Sequence, residues 1–230
     1  MTALPLPTLL LNLHNAATAA GRPTPRLLAV SKTQPAEAVA ALAAQGQRAF
    51  GENYVQEAAA KIEALESLAL EWHLIGHLQS NKAELAAQRF DWVQSVDRTK
   101  LITALAAHRP DTLPPLNVLV QVNIDDEDSK HGCAPDLIPA LAAAIAAEPR
   151  LCLRGLMAIP APWPDARRRQ QAFERMHALF ESLAARYPQV DTLSMGMSGD
   201  YPEAIAHGAT MVRVGTALFG ARPTPNKDAS

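Results

Sequence analysis

Cysteine is scarce in this 230-residue sequence, with Cys133 and Cys152 its only two thiols. Two thiols cannot build a disulfide framework or a four-sulfur zinc site. The expected setting is a reducing cytoplasm, and the expected source of stability is a hydrophobic core. An excess of either charge is also lacking: 21 Lys and Arg stand against 23 Asp and Glu, for a formal net charge of −2. The basic run Arg167-Arg168-Arg169 reads as a solvated helix face, so no footprint for nucleic acid or an anionic membrane is present. No stretch reaches the ~20 apolar residues that span a bilayer. The apolar N-terminus has no basic region before it and is broken by Pro5, Pro7, Asn12, His14 and Asn15, which argues against a signal peptide. Neither a G-x-G-x-x-G nor a Walker pattern occurs, so dinucleotides and nucleoside triphosphates are not expected.

Short apolar runs alternating with longer Ala-rich runs are what the sequence does contain. The runs predict strands at 26–32, 48–51, 72–78, 92–96, 116–124, 151–159, 192–198 and 211–219. Helices are expected at 35–45, 52–68, 80–89, 98–108, 135–147, 165–186 and 201–207, with one more at about 4–20 ahead of the first strand. Ser80 and Asp97 read as N-caps, and Gly46 and Gly208 as residues just past helix ends. Strands joined by helices pair in parallel, because each crossover spans the sheet. Eight of them in about 200 residues fit a closed (β/α)8 TIM barrel, with an open eight-stranded sheet as the alternative. No linker or composition break interrupts the chain. One domain over 1–230 is expected, with a core at about 4–222 and a tail at 223–230.

In such a barrel, chemistry sits at the C-terminal strand ends. Of six lysines, Lys61, Lys82 and Lys100 fall on helices, Lys227 in the tail and Lys130 after an acidic loop. Lys32 instead ends the first strand, on the same face as Leu28 and Val30. Burial there favours the neutral amine, which suits imine formation with an aldehyde. The plain alternative is a lysine that snorkels to solvent. The seventh strand runs into Ser198-Gly199-Asp200, with Pro202 and Glu203 suiting a helix start and Asp200 with Glu203 a capping box. Loops after strands seven and eight of such barrels often bind phosphate, and Ser198, Gly215 and Thr216 offer hydroxyls and backbone N–H groups there. Arg213 interrupts the apolar eighth strand on the Lys32 side. A buried guanidinium needs an acceptor, which is either an anionic ligand or a carboxylate such as Glu52 or Asp97.

Other motifs stay unremarkable. His73 and His77, four apart on a predicted strand, read as a structural pair at the barrel mouth, since zinc would need a third ligand; no metal site is expected. The run Asp125 to Asp128 lacks the glycine of a calcium loop, and Lys130 beside it suits anions at the rim. No His–Asp constellation can be assigned to Cys133 as a nucleophile. Phe173, Met176, Phe180 and Leu183 have the spacing of a buried helix stripe.

The sequence resembles the pyridoxal phosphate homeostasis proteins, small single-barrel relatives of alanine racemase. The resemblance is carried by Leu28-Ala29-Val30-Ser31-Lys32, by Phe50-Gly51-Glu52-Asn53-Tyr54-Val55-Gln56-Glu57 and by the segment from Trp72 through Lys82. Val122-Asn123-Ile124, Ser129-Lys130-His131-Gly132, Arg154-Gly155-Leu156-Met157, Leu193 through Gly199 and Val212 through Arg222 follow in order. His77 and Gly199 depart slightly from the family pattern. The resemblance implies that Lys32 holds pyridoxal 5′-phosphate as an imine. It also implies that Ser198, Gly215 and Thr216 bind the phosphate, that Arg213 faces the pyridine nitrogen and that Asn53 lies beside the ring. A permanently charged donor leaves that nitrogen unprotonated, which makes the ring a weaker electron sink. Alanine racemase adds a C-terminal domain and a partner's tyrosine as second base. This sequence ends at residue 230 and has only Tyr54, Tyr187 and Tyr201. The expectation is a monomeric, non-catalytic carrier of the cofactor with PLP-dependent apoenzymes as recipients. The alternatives are a PLP-dependent amino-acid racemase and a Schiff-base aldolase.

Overall fold

Eight parallel strands follow one another around a closed barrel in sequence order. They are β1 (Arg26–Val30), β2 (Ala49–Glu52), β3 (Glu71–Leu74), β4 (Trp92–Val96), β5 (Leu116–Val122), β6 (Leu151–Ala158), β7 (Thr192–Ser194) and β8 (Met211–Val214). The helices are α1 (Leu6–Ala19), α2 (Ala36–Ala43), α3 (Val55–Ala64), α4 (Ala83–Arg89) and α5 (Thr99–His108) in the first half. The second half has α6 (Ile138–Ala146), α7 (Ala166–Ala184), α8 (Tyr201–Ala206) and α9 (Thr216–Phe219). This computed structural model describes residues 3–125, 131–161 and 163–220. The register Arg26↔Met211 through Ala29↔Val214 joins the last strand to the first, which settles a (β/α)8 TIM barrel over an open sheet.

Strand alternation divides the side chains between two cores. Leu27, Ala29, Phe50, Leu74, Val93, Val118, Leu193 and Val212 point outward into the layer beneath the helices. The helices meet them with apolar stripes: Leu6, Leu9, Leu13 and Ala17 on α1, and Phe173, Met176, Phe180 and Leu183 on α7, the latter as its spacing predicts. Inside the barrel, Leu28, Ala49, Ile75 and Met211 form one small cluster and Trp92, Leu119 and Met157 another. No described helix is long and apolar enough to cross a membrane.

Several expectations need correction. β3, β7 and β8 end at Leu74, Ser194 and Val214, well before the predicted 78, 198 and 219, and residues 216–219 form α9 instead. Their apolar runs continue because the loops themselves are buried: Ile75, Leu78, Met195, Ala217 and Leu218 cover the core beyond the last ladder bond. Ser80 opens a 3-10 turn (Ser80–Lys82) and Arg98, not Asp97, precedes α5; neither Ser80 nor Asp97 caps a helix with its side chain. Asp97 accepts from Arg98 at 2.6 Å. Asp200 and Glu203 form no capping box, because Asp200 Oδ1 accepts from the Met197 N–H (2.6 Å) and Glu203 from Arg169 (3.2 Å). Gly46 and Gly208 do lie just past α2 and α8, at positive φ. Asp126 to Lys130, Arg222 and the tail at 223–230 lie outside the described residues.

Candidate functional site

Lys32 stands two residues beyond β1, half-buried in a turn at the barrel mouth. A buried charge cluster grips that turn from the outer side. Ser31 Oγ donates to Glu52 Oε1 at 2.6 Å. Lys61 Nζ donates to the same carboxylate at 2.8 Å, to Glu57 Oε1 at 2.7 Å and to the Ser31 carbonyl at 2.8 Å. Glu57 Oε1 also accepts from the Thr33 N–H at 2.8 Å. Thr33 has φ 63°, a left-handed conformation that a β-branched residue holds only when its surroundings impose it. Both neighbours of Lys32 are thus pinned by charged side chains. Burial pushes the Glu52 carboxyl above its ordinary range, while Lys61 and Ser31 pull it back. Glu52 is therefore committed here and does not pair with Arg213. Sequence reasoning passed over Lys61 as a helix-surface lysine, yet it is only 7% exposed. The Glu57–Lys61 spacing of four was the available signal.

Asn53 follows β2 and is fixed by its backbone: a Cβ at position 76 would collide with the Asn53 carbonyl, so only glycine permits this approach. Arg213, on β8, is fully desolvated. Its Nη1 donates to Ser194 Oγ and its Nη2 to the Ala158 carbonyl, both at 2.8 Å. Among the described residues no carboxylate lies within ion-pair distance, so neither Glu52 nor Asp97 is its partner. Burial lowers the guanidinium pKa to about 10, with the Asp200 charge opposing; it stays protonated at neutral pH. Past β7, Gly196 turns the chain at φ 92° into the Ser198-Gly199 turn. The N–H groups of Ser198 and Gly199 and the hydroxyls of Ser198 and Thr216 make no hydrogen bond to described residues.

These elements meet around one cavity of about 270 Å³. Lys32, Asn53, Ser198, Arg213, Gly215 and Thr216, all six residues singled out from the sequence, line it together with Gly199. The apolar walls (Val30, Ile75, Ile159 and Met197) were not singled out, because an apolar residue at a strand end looks the same whether it faces a ligand or the core. The volume lies just under the ~300 Å³ lower range of small-molecule sites. Its lining holds two cationic side chains and no carboxylate, histidine or tyrosine. That donor-rich, apolar-walled space fits a flat ring bearing an anion and a carbon that an amine can attack. A larger recess, about 360 Å³, lies between Asp125, Trp163 and α7, away from these residues.

The remaining candidates sit apart. His73 points into the barrel, stacked on Trp92 at 5.0 Å, whereas His77 lies beyond the end of β3 and stacks on His131 at 3.8 Å. The two are not a pair, because the alternation that would align them stops at Leu74. No cluster of metal ligands occurs among the described residues. Burial pushes the Cys133 thiol up to about 12, which leaves it inert.

The barrel, with a lysine beyond its first strand and hydroxyl-bearing turns after its last two, defines a fold and site of the alanine racemase type. The family model for the alanine racemase N-terminal domain matches residues 6–223. The pyridoxal phosphate homeostasis protein of Pasteurella multocida is 54% identical over 217 residues, covering 92% of this chain and 93% of its own. That of Escherichia coli (strain K12) is 54% identical over 204 residues, 87% of each. Among solved structures, PipY of Synechococcus elongatus with PLP bound superposes with a TM-score of 0.76 at 37% identity, covering 90% of this chain and 100% of that one. Alanine racemase of Corynebacterium glutamicum, at 19% identity and a TM-score of 0.66, shares the fold over 97% of this chain and 64% of its own. The chain belongs to the pyridoxal phosphate homeostasis protein family.

Proposed function

We propose that this protein binds pyridoxal 5′-phosphate as a Schiff base on Lys32 and serves cellular homeostasis of that cofactor, holding it and passing it to apoenzymes with little or no catalysis of its own. The convergence of Lys32, Asn53, Arg213 and the Ser198 and Thr216 turns on one cavity carries the reading. The homologues' name and the PLP-bound PipY support it. The cofactor supplies an aldehyde that condenses with an amine. The Lys32 amine adds to the aldehyde carbon and one water leaves; exchange of Lys32 for another amine on that carbon releases the cofactor without loss. Ser198, Gly199, Gly215 and Thr216 hold the phosphate, Arg213 donates to the ring nitrogen and Asn53 flanks the ring. Carriage rather than turnover is supported by the lining, which offers no second acid or base to move a substrate proton. Tyr201 packs against the outer core and is not a lining residue.

The absorption spectrum of the purified protein tests this. An imine band is expected in the wild type, trapped by borohydride and absent from Lys32→Ala. Arg213→Ala should weaken retention or change the spectrum without unfolding the barrel. A colourless wild type that takes up no added pyridoxal phosphate overturns the reading. Amino-acid α-proton exchange into D2O above that of free cofactor would replace carriage with racemase activity. A monomer is expected in solution.

A further inference from the structure

A line of buried polar side chains crosses the barrel interior from the cavity to its floor. Arg213 Nη1 donates to Ser194 Oγ at 2.8 Å, and Ser194 Oγ donates to Gln94 Oε1 at 2.7 Å. Gln94 Nε2 meets His73 Nδ1 at 2.9 Å, and His73 Nε2 meets Glu71 Oε1 at 2.6 Å. The same Glu71 oxygen accepts from Arg26 at 2.7 Å. Ser194, Gln94 and His73 have no exposed surface, and they separate the two apolar clusters of the interior. His73 stacks on Trp92 of one, and Gln94 donates to Met211 Sδ of the other at 3.2 Å.

Only one donor direction satisfies every member. The Glu71 carboxylate, ionised beside Arg26, can only accept, so the His73 proton sits on Nε2. His73 Nδ1 is then an acceptor, which turns the Gln94 amide NH2 toward it and the Gln94 oxygen toward Ser194. The Ser194 hydroxyl must donate to that oxygen, which leaves its lone pairs for Arg213. Reversing Gln94 would leave the carboxylate facing an unprotonated ring nitrogen. Burial keeps the His73 ring neutral, so no link carries a second proton. With Nη1 held by Ser194 and Nη2 by Ala158, Nε of Arg213 makes no hydrogen bond to described residues.

We propose that Ser194, Gln94 and His73 are positioning residues for Arg213, forming a one-way hydrogen-bond chain whose polarity is set by Glu71 at the barrel floor and which fixes how the guanidinium meets the ring of the bound cofactor. This rests on reading the cavity as a pyridoxal phosphate site. A fully satisfied buried chain is rigid, and one broken link leaves a buried group unpaired.

The test uses full-length protein and pyridoxal phosphate itself. Ser194→Ala and Gln94→Met each break the chain with little change in volume. Each should raise the Kd for the cofactor about tenfold and move the pH midpoint of the imine band, with an apo melting temperature close to wild type. Glu71→Gln, away from the cavity, should move the same midpoint because glutamine can donate and the polarity is released. It also serves if the interior variants do not fold. In apo wild type, nitrogen NMR should show His73 neutral with its proton on Nε2. Variants that match wild type in Kd and midpoint, or a His73 protonated on Nδ1, overturn the chain alone. A wild type without any imine band overturns the proposed function and the chain with it.

Discussion

Lys61 decides whether the Lys32 turn holds, because it is the only cation among the described residues that touches Glu52. Lys61→Met should cost about 3–5 kcal/mol by leaving a buried carboxylate unpaired. The loss should be larger near about pH 8 than near about pH 5. Burial already raises the Glu52 carboxyl above its unfolded range, and removing Lys61 raises it further. A group raised in the fold stabilises below its unfolded pKa and loses that contribution as pH rises through its folded pKa. Urea melts of both proteins at the two pH values check this, and equal losses would contradict it. Cys133 gives a simpler expectation. With its thiol pushed up to about 12, it should react with iodoacetamide at neutral pH far more slowly in the fold than in urea, read by peptide mapping. At this scale the six site residues were legible because each breaks a local rule: a lysine ending an apolar strand, an arginine inside one, hydroxyls and glycines where barrel loops bind anions. Lys61 and Gln94 were not, because their partners lie on other elements.

The β7–α8 connection is the element on which the anion side of the cavity depends. Gly196 sits at φ 92°, and a Cβ there would lie 2.6 Å from that of Ala204 on α8. Gly196→Ala should cost about 1–3 kcal/mol in backbone strain and should also displace Ser198 and Gly199. Leu13→Ala, buried on α1 away from the site, is the control. It should cost about 2–5 kcal/mol yet leave cofactor affinity unchanged. Denaturant melts paired with cofactor titrations separate the two, and equal affinity in both variants would mean that the turn does not shape the cavity. Helix positions were readable from periodicity, whereas the ends of β3, β7 and β8 were not. An apolar run does not distinguish a paired strand residue from a buried loop residue such as Leu78 or Met195.

Across the whole molecule, the cavity draws on β1, β2, β3, β6, β7 and β8 or the loops that follow them, so a ligand held there stabilises the closed barrel. At about a hundredfold excess over Kd the linkage is worth about 2.7 kcal/mol, or roughly 5–10 °C in Tm for a chain of this size. Thermal scans with and without pyridoxal phosphate should show that rise in the wild type and a smaller one in Lys32→Ala. An equal rise in both would place the binding energy elsewhere than on the lysine.

The order of residue types alone determined the (β/α)8 barrel, since each crossover helix admits only parallel pairing and eight repeats suffice to close the ring. It also marked which side chains break the apolar pattern at the strand ends. Closure itself decided the rest. Only when β8 meets β1 do Lys32 and Arg213 face one space, Lys61 find Glu52, and Gln94 bridge His73 to Ser194, because hydrogen bonds across a barrel join residues far apart in the chain. No local pattern encodes such contacts.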